Sequence, residues 1–272
     1  MNQSNPPPPR KTLTIGGWDP CGAFGTAADL KTFTAHRCYG MAILTVATAQ
    51  NSQSWLGAQF LPADFVGQQL DAVLSDYGAD AIKTGFLGRV DFIETIVQKL
   101  TAFSTGALVV DPVLVNNRGA TMFGPDVIDA YRDKLIPQAQ IITPNVEEAR
   151  VLLGRDPLDD TISGEALGQQ VQKKLDVPHI LITGDRTEGL AIDWWCSAET
   201  GAVVRLPRPW QDTKNVSGSG DTFSAALVCQ LAQGQPMHDA IMQAQAFVQQ
   251  AIHHGKDWQL GHGAGPTGNI FV

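Results

Sequence analysis

Gly218-Ser219-Gly220-Asp221 runs straight into Thr222-Phe223-Ser224-Ala225-Ala226-Leu227, so a segment of helical character begins at a glycine-bracketed loop with one carboxylate. The first amides of a helix lack intrahelical partners and the helix dipole is positive there, while glycines let an anion approach the main chain. A phosphate would be held well at Gly218, Ser219 and Gly220. Asp221 would repel it, and a carboxylate kept there is better suited to removing a proton from a nucleophile. On its own the tetrad fits equally a helix entered through a flexible loop and capped by Ser or Asp.

Asp111 follows Ala107-Leu108-Val109-Val110 and precedes Pro112, which places it at a strand end. A carboxylate there suits Mg²⁺, bound directly or through water, and suits a turn just as well. Glu148, three residues after Asn145 at the start of a helical pattern, is open to the same two readings, metal ligand or first-turn carboxylate favoured by the dipole. Asp29 sits one turn into the helix that follows the glycine-rich loop 16–25, where it accepts hydrogen bonds from a substrate hydroxyl or ring amine, or simply faces solvent. Gln50 ends a strand-like run, and its amide matches the donor–acceptor edge of a heterocycle. The loop 16–25 lacks the GxGxxG spacing of a dinucleotide site, and the chain has no GxSxG elbow, P-loop or HExxH pattern.

These residues need a scaffold, and the hydrophobic pattern describes one. Short apolar, β-branched runs at 13–16, 42–47, 79–84, 107–111, 140–143 and 179–183 alternate with helical segments at 27–35, 63–75, 91–100, 126–135, 146–153 and 164–175. That alternation predicts an α/β fold, a mostly parallel central sheet with helices on both faces. Runs 189–196 and 202–206 flank a hairpin-like turn and predict antiparallel strands at a sheet edge, and two helices close the chain. Ligands of such sheets collect at the carboxyl ends of the strands, which points to loops 16–19, 85–86, 111–113, 143–145 and 183–185.

The bulk composition narrows the partners. With 272 residues, a net charge of -8 and 17% charged residues, the chain reads as an ordinary globular protein, not as a nucleic-acid binder. Four scattered cysteines without metal spacing read as reduced thiols of a cytoplasmic protein, and no run of about 18 apolar residues predicts a membrane span. Residues 1–11 read as a mobile proline-rich tail and residues 12–272 as one domain.

Taken in order, the motifs resemble the ribokinase-like kinases, and among them the hydroxymethylpyrimidine/phosphomethylpyrimidine kinases of thiamine biosynthesis. Gly17, Asp19-Pro20, Gly22, Gly25 and Ala28-Asp29-Leu30-Lys31-Thr32-Phe33 match the opening signature; Ala49-Gln50-Asn51, Lys83 with Gly85, and Asp111-Pro112-Val113 follow. Thr143-Pro144-Asn145 with Glu148, Thr213-Lys214-Asn215, the glycines of the tetrad and the tail Gly261-His262-Gly263-Ala264-Gly265-Pro266 complete the likeness, from residue 12 to 266. The resemblance implies a ribokinase-like fold and a homodimer that phosphorylates 4-amino-5-hydroxymethyl-2-methylpyrimidine, and then its monophosphate, with ATP and Mg²⁺. It implies Gly17, Asp29, Gln50, Phe86 and Val113 as the pyrimidine pocket and Asp111 and Glu148 as managers of Mg²⁺. Asn145, Thr183 and Lys214 would meet ATP, Gly218, Ser219 and Gly220 would form the anion hole, and Asp221 would be the catalytic base.

The chain also departs from that pattern. Asp221 stands where the subfamily usually has cysteine, and a carboxyl of pKa about 3.9 is ionised at neutral pH without tuning. Thr183-Gly184-Asp185-Arg186 replaces the usual Lys-Gly-Gly-His, leaving Arg186 or Lys214 to supply the missing charge, and Trp18, Phe24 and Phe86 replace smaller or more flexible residues. A pyridoxal kinase or dual-specificity kinase is the alternative activity, and a ligand-binding relative without turnover the third.

Overall fold

The computed structural model describes residues 7–103, 105–116, 118–187 and 189–270. Among the described residues nine strands form one sheet: β1 (Lys11–Trp18), β2 (Tyr39–Gln50), β3 (Trp55–Phe60), β4 (Ala81–Thr84), β5 (Ala107–Val110), β6 (Ile141–Ile142), β7 (His179–Thr187), β8 (Leu190–Ser197) and β9 (Val203–Pro209). Their order across the sheet is β3-β2-β1-β4-β5-β6-β7-β8-β9. The pairs from β2 to β7 are parallel, whereas β3 on one edge and β8 and β9 on the other run antiparallel.

Parallel strands must be covered on both faces, and the side chains show it with period two. Leu13, Ile15, Ile82, Leu108, Val110, Ile142 and Ile180 enter one core with α2 (Ala63–Asp76), α3 (Val90–Ala102), α4 (Pro125–Ala130), α5 (Val146–Leu152) and α6 (Gly164–Lys174). Ala81, Val109, Ile141 and Leu181, on alternate positions, enter the other with α1 (Gly25–Ala35), α7 (Ser219–Ala232) and α8 (Met237–Gly255).

From β1 the chain moves outward to β2, then returns to place β4 on β1's other side. The loops leaving β1 and β4 therefore diverge and open a crevice at the carboxyl end of the sheet, the switch point where α/β folds bind ligands.

Several expectations shift. β1 begins at Lys11, inside the expected tail, with the Lys11 amide donating to Asp80 Oδ2 at 2.7 Å. Residues 7–10 of that tail are exposed coil, and 1–6 lie outside the described residues. β3 was not expected: Trp55-Leu56-Gly57-Ala58-Gln59-Phe60 buries no face fully, so its sequence carries no inside–outside alternation. The helix expected over 126–135 is α4 for its first turns, then widens into a π-helical turn at Tyr131–Leu135. That turn delivers fully buried Tyr131, whose hydroxyl donates to the Gly85 carbonyl at 2.9 Å and accepts from the Leu87 amide at 3.2 Å, fixing the loop after β4.

Candidate active site

Lys83 is the one charged residue of β4, and its side chain is 0% exposed. Its Nζ lies 2.6 Å from Asp29 Oδ1, 3.0 Å from Asp221 Oδ1 and 3.6 Å from Asp111 Oδ2, so carboxylates from α1, α7 and the end of β5 converge on one ammonium. Asp29 is completed by Thr14, whose hydroxyl donates at 2.6 Å, and Asp111 by Ser224, which donates at 2.8 Å. Burial favours the neutral forms of Asp29, Asp111 and Lys83. It raises the Asp29 carboxyl to about 7 although Lys83 opposes it, and raises Asp111 as well. Burial also pulls on Lys83, but Asp221, Asp29 and Asp111 together outweigh it and hold the ammonium above its ordinary range.

Lys83 belongs to the motif that carries the family likeness, yet the sequence assigned it no role. A lysine inside an apolar strand run was the available signal, because such a residue is buried only with partners. Asp29, expected to meet a substrate, is instead 1% exposed with both oxygens engaged by Lys83 and Thr14.

The tetrad is held by its neighbours. Gly218 has φ +76°, and a Cβ there would drive into the Ala23 carbonyl oxygen. The loop carrying Ala23 is wound around buried Asp19, whose carboxylate accepts the amides of Cys21, Ala23 and Phe24 at 2.9, 2.9 and 3.1 Å. Ser219 opens α7, and at Gly220 a Cβ would meet nothing within 4 Å, so the helix start faces free space. On the other flank the Ser217 amide donates to Gly265 and the Thr267 amide to Ser217, which ties the tail to the tetrad.

A cleft of about 250 Å³ extends from that helix start. Thr143, Asn145, Thr183, Ser219 and Gly220 line it, together with Arg186 and Arg208. The Arg186 guanidinium lies 3.7 Å over the Trp210 ring, and Arg208 reaches buried Asp193 at 3.0 Å. Asp185 turns the other way, accepting from Trp194 Nε1 at 2.8 Å, so it adds no exposed carboxylate to the phosphate side. Lys214 is exposed and does not line the cleft. A larger hollow of about 530 Å³ beside α8, walled by His253, His254 and Lys256, holds none of the expected residues.

Asn145 and Glu148 form a capping box on α5: Asn145 Oδ1 accepts the Glu148 amide at 2.8 Å and Glu148 Oε2 accepts the Asn145 amide at 3.0 Å. Glu148 Oε1 also accepts the Leu114 amide at 3.1 Å. Burial, with Asp111 nearby, still lifts this carboxyl to about 8. Among the described residues no group of three or more His, Cys, Asp or Glu side chains could cage a metal. Mg²⁺ needs no such cage when substrate phosphates and water complete its shell. Asp111, Glu148 and the buried Thr143 hydroxyl, which lines the cleft and has no hydrogen-bond partner among the described residues, are compatible with that mode.

Across the sheet's switch point lies an aromatic wall. Phe86 follows β4 with its ring centroid 5.3 Å from Phe123, 6.4 Å from Trp55 and 6.5 Å from Phe60. A Cβ on Gly17 would stand 3.0 Å from Val46 Cγ1 and 3.7 Å from the Phe86 ring, so glycine opens room beside it. The Gln50 carbonyl accepts from Cys21 Sγ at 3.1 Å, and the Val113 amide donates to the Asp111 carbonyl at 3.0 Å, which puts Val113 next to the carboxylate cluster. Trp18 and Phe24 remain 42% and 41% exposed.

The family described as phosphomethylpyrimidine kinase matches residues 19–268 of this chain. The thiamine biosynthesis bifunctional protein ThiED of Geobacter sulfurreducens is 36% identical over the whole chain, which spans 54% of that protein's length. The chain likewise spans about half of the two bifunctional plant enzymes it matches, at 47% and 50% of their length. The hydroxymethylpyrimidine/phosphomethylpyrimidine kinase of Rhizobium meliloti is 35% identical, covering 94% of this chain and 95% of that one. Among solved structures, the pyridoxal kinase from Staphylococcus aureus in complex with ADP superposes with a TM-score of 0.86 at 31% identity, covering 96% of this chain and 94% of that one. The same enzyme has also been solved in complex with pyridoxal.

Proposed function

The chain belongs to the phosphomethylpyrimidine kinase family, and from that membership and the geometry of the site we propose that it phosphorylates 4-amino-5-hydroxymethyl-2-methylpyrimidine with ATP, and then the monophosphate. The observation that carries this reading is Asp221, set at the start of α7 beside the open backbone of Gly220 and fixed by a buried ammonium. A base and an anion hole share one helix terminus.

In the first reaction the substrate hydroxymethyl oxygen forms a bond to the terminal phosphorus of ATP as the bond to ADP breaks, and the hydroxyl proton passes to Asp221. Amides at Gly218, Ser219 and Gly220 meet charge on the transferring group, which is most of what an enzyme contributes to phosphoryl transfer. Mg²⁺, when bound, neutralises charge on the phosphates. Asp111 and Glu148 would hold it. Arg186 and Arg208, with Asn145 and Thr183, would receive the phosphate chain and make up for the absent lysine, a task for which exposed Lys214 is badly placed. Gly17, Gln50, Phe86 and Val113 would enclose the pyrimidine, with Phe86 as its apolar wall. Asp29 would act on the substrate only through Lys83.

We also read residues 12–272 as one domain working as a homodimer in the cytoplasm; no helix among the described residues is long and apolar enough to cross a membrane. Purified protein given ATP, Mg²⁺ and the pyrimidine alcohol should release ADP and form the mono- and diphosphate. Asp221→Asn should lower kcat by about 10³-fold with the fold intact. No phosphorylation of the alcohol by folded, ATP-binding protein would refute the reading.

Pyridoxal kinase activity is the second reading, favoured by the close superposition on the Staphylococcus aureus enzyme. Both substrates carry a ring hydroxymethyl group. A competition assay giving kcat/KM for each ranks them, and a preference for pyridoxal would reverse the order.

A further inference from the structure

We propose that Lys83 is a positioning residue of this reaction, a built-in cation that clamps one oxygen of Asp221 and presents the other to the substrate hydroxyl. The proposal rests on Asp221 being the base. On this face of the sheet Lys83 pairs with buried Val109 on β5, beyond which lies buried Ile141, and with buried Thr14 on β1, a neutral hydroxyl, so the sheet itself offers the ammonium no counter-charge. A buried ammonium is retained only at the expense of its hydration, and here three carboxylates compensate.

Those carboxylates are not equivalent. Asp29 spends both oxygens on Lys83 and Thr14, and Asp111 shares Oδ2 between Lys83 and Ser224. Asp221 gives Lys83 its Oδ1, and among the described residues no hydrogen-bond donor meets its Oδ2. Its side chain is also the most open of the three, at 15% exposed against 10% for Asp111 and 2% for Asp29. Lys83 further approaches the Asp221 main-chain carbonyl at 3.5 Å, which ties the side chain to the first turn of α7. One oxygen is thus anchored from inside the sheet while the other is left without a donor among the described residues.

The contacts support the same role. When Asp221 Oδ2 takes the proton of the attacking hydroxyl, Asp221 becomes neutral, but Lys83 keeps its contacts with Asp29 at 2.6 Å and Asp111 at 3.6 Å, so the ammonium is held in place through the proton transfer.

The test is a set of variants in the full chain, assayed with ATP, Mg²⁺ and the pyrimidine alcohol. Lys83→Met should lower kcat by about 10²-fold while KM for ATP and for the alcohol stay within about threefold, the split of a residue that acts in the transition state. Lys83→Ala, which leaves space for a small cation, should regain at least about tenfold of its lost kcat with methylammonium at constant ionic strength, whereas Asp221→Asn should not respond. Because either lysine variant leaves three buried carboxylates uncompensated, a load on folding, Asp29→Asn/Lys83→Met is compared with Asp29→Asn alone. The double variant should fall at least about 30-fold below the single one. Equal kcat in that pair, or a folded Lys83→Met with wild-type kcat while Asp221→Asn is inactive, would overturn the role of Lys83 and spare the base. A folded Lys83→Ala that methylammonium leaves unchanged would overturn it too, and wild-type kcat in Asp221→Asn would remove both readings.

Discussion

At the scale of single residues, charge is what the site rearranges. The sequence shows a lysine missing at position 183 and offers Arg186 or Lys214 in its place. Of the two, Arg186 lines the cleft and Lys214 does not, which favours Arg186 for the proposed phosphate contact. The fold adds Arg208, which lies on β9 and was invisible as a candidate because no motif in the sequence marks it. The two arginines should fail differently when truncated. Arg186 is exposed and, among the described residues, its guanidinium is held only against Trp210, so Arg186→Ala should raise KM for ATP by about tenfold, worth ~1.4 kcal/mol, with an unchanged melting temperature. Arg208 compensates Asp193, which is 1% exposed and, among the described residues, otherwise accepts only from Gly184 and Gln245. Arg208→Ala should therefore weaken ATP binding and also destabilise the fold by about 2 kcal/mol. Initial-rate kinetics beside thermal unfolding separate the two, and an unchanged KM for ATP in both would remove the arginines from the phosphate side.

At the scale of elements, the same glycine-rich helix start divides into a structural and a functional half. Gly218 needs its positive φ and its close approach to the Ala23 carbonyl, whereas Gly220 is open. Gly218→Ala should thus lower the melting temperature and disturb the 19–24 loop. Gly220→Ala, in the first turn of α7 where alanine is a good helix former, should leave stability unchanged or slightly raised and still depress kcat by about tenfold or more, because its methyl group occupies the space an anion needs. Equal turnover in Gly220→Ala and wild type would argue against the anion hole. Another element-level prediction concerns the junction of α1, α7 and α8. There His36 lies against Phe247 with ring centroids 4.4 Å apart, its Nδ1 3.4 Å from Gln230 Nε2, and burial pushes its pKa down from 6.5 to about 4. The unfolded chain binds a proton that the folded chain refuses, so this contribution is intact above pH 6.5 and is lost progressively as the pH falls toward 4. His36→Leu should remove that part of the acid destabilisation, at most ~3 kcal/mol, in denaturant melts across the window. Elements such as β4, β5 and α7 were legible because their apolar runs and glycines speak locally. β3 and the π-helical turn at Tyr131 were not, since β3 is defined by its hydrogen bonds to β2 and the turn by a buried tyrosine that braces the Gly85 loop from another part of the chain.

At the scale of the whole molecule, the tail connects the two sides of the crevice. Its sequence, Gly261-His262-Gly263-Ala264-Gly265-Pro266, was legible as a family mark but not as a device, because what it holds lies far away in sequence. The Gly263 amide donates to Ser52 Oγ at 3.0 Å, and a Cβ on Gly263 would drive into the Ser52 carbonyl, so the tail rests on the turn that joins β2 to β3. Two residues on, the Gly265 amide donates to Asn215 Oδ1 at 2.8 Å, while Asn215 Nδ2 reaches the carbonyls of Gly255 and Trp258 at 2.9 and 2.7 Å. One short segment therefore sets the hairpin that carries Gln50 and Trp55 relative to the backbone that leads into Gly218. Altering its two ends should have separable effects. Gly263→Ala pushes on an exposed turn and should raise KM for the pyrimidine alcohol by about tenfold, with KM for ATP within about twofold and only a small loss of stability. Gly265→Ala would bring a Cβ to 2.6 Å from Asn215 Oδ1 and break into a fully bonded buried amide, so it should lower stability by at least ~1–3 kcal/mol and reduce kcat through the displaced tetrad. Kinetics with each substrate varied in turn, together with thermal melts, read both effects. If Gly263→Ala changed KM for the alcohol and for ATP alike, the tail would be a general brace and not the element that sets the substrate-side hairpin.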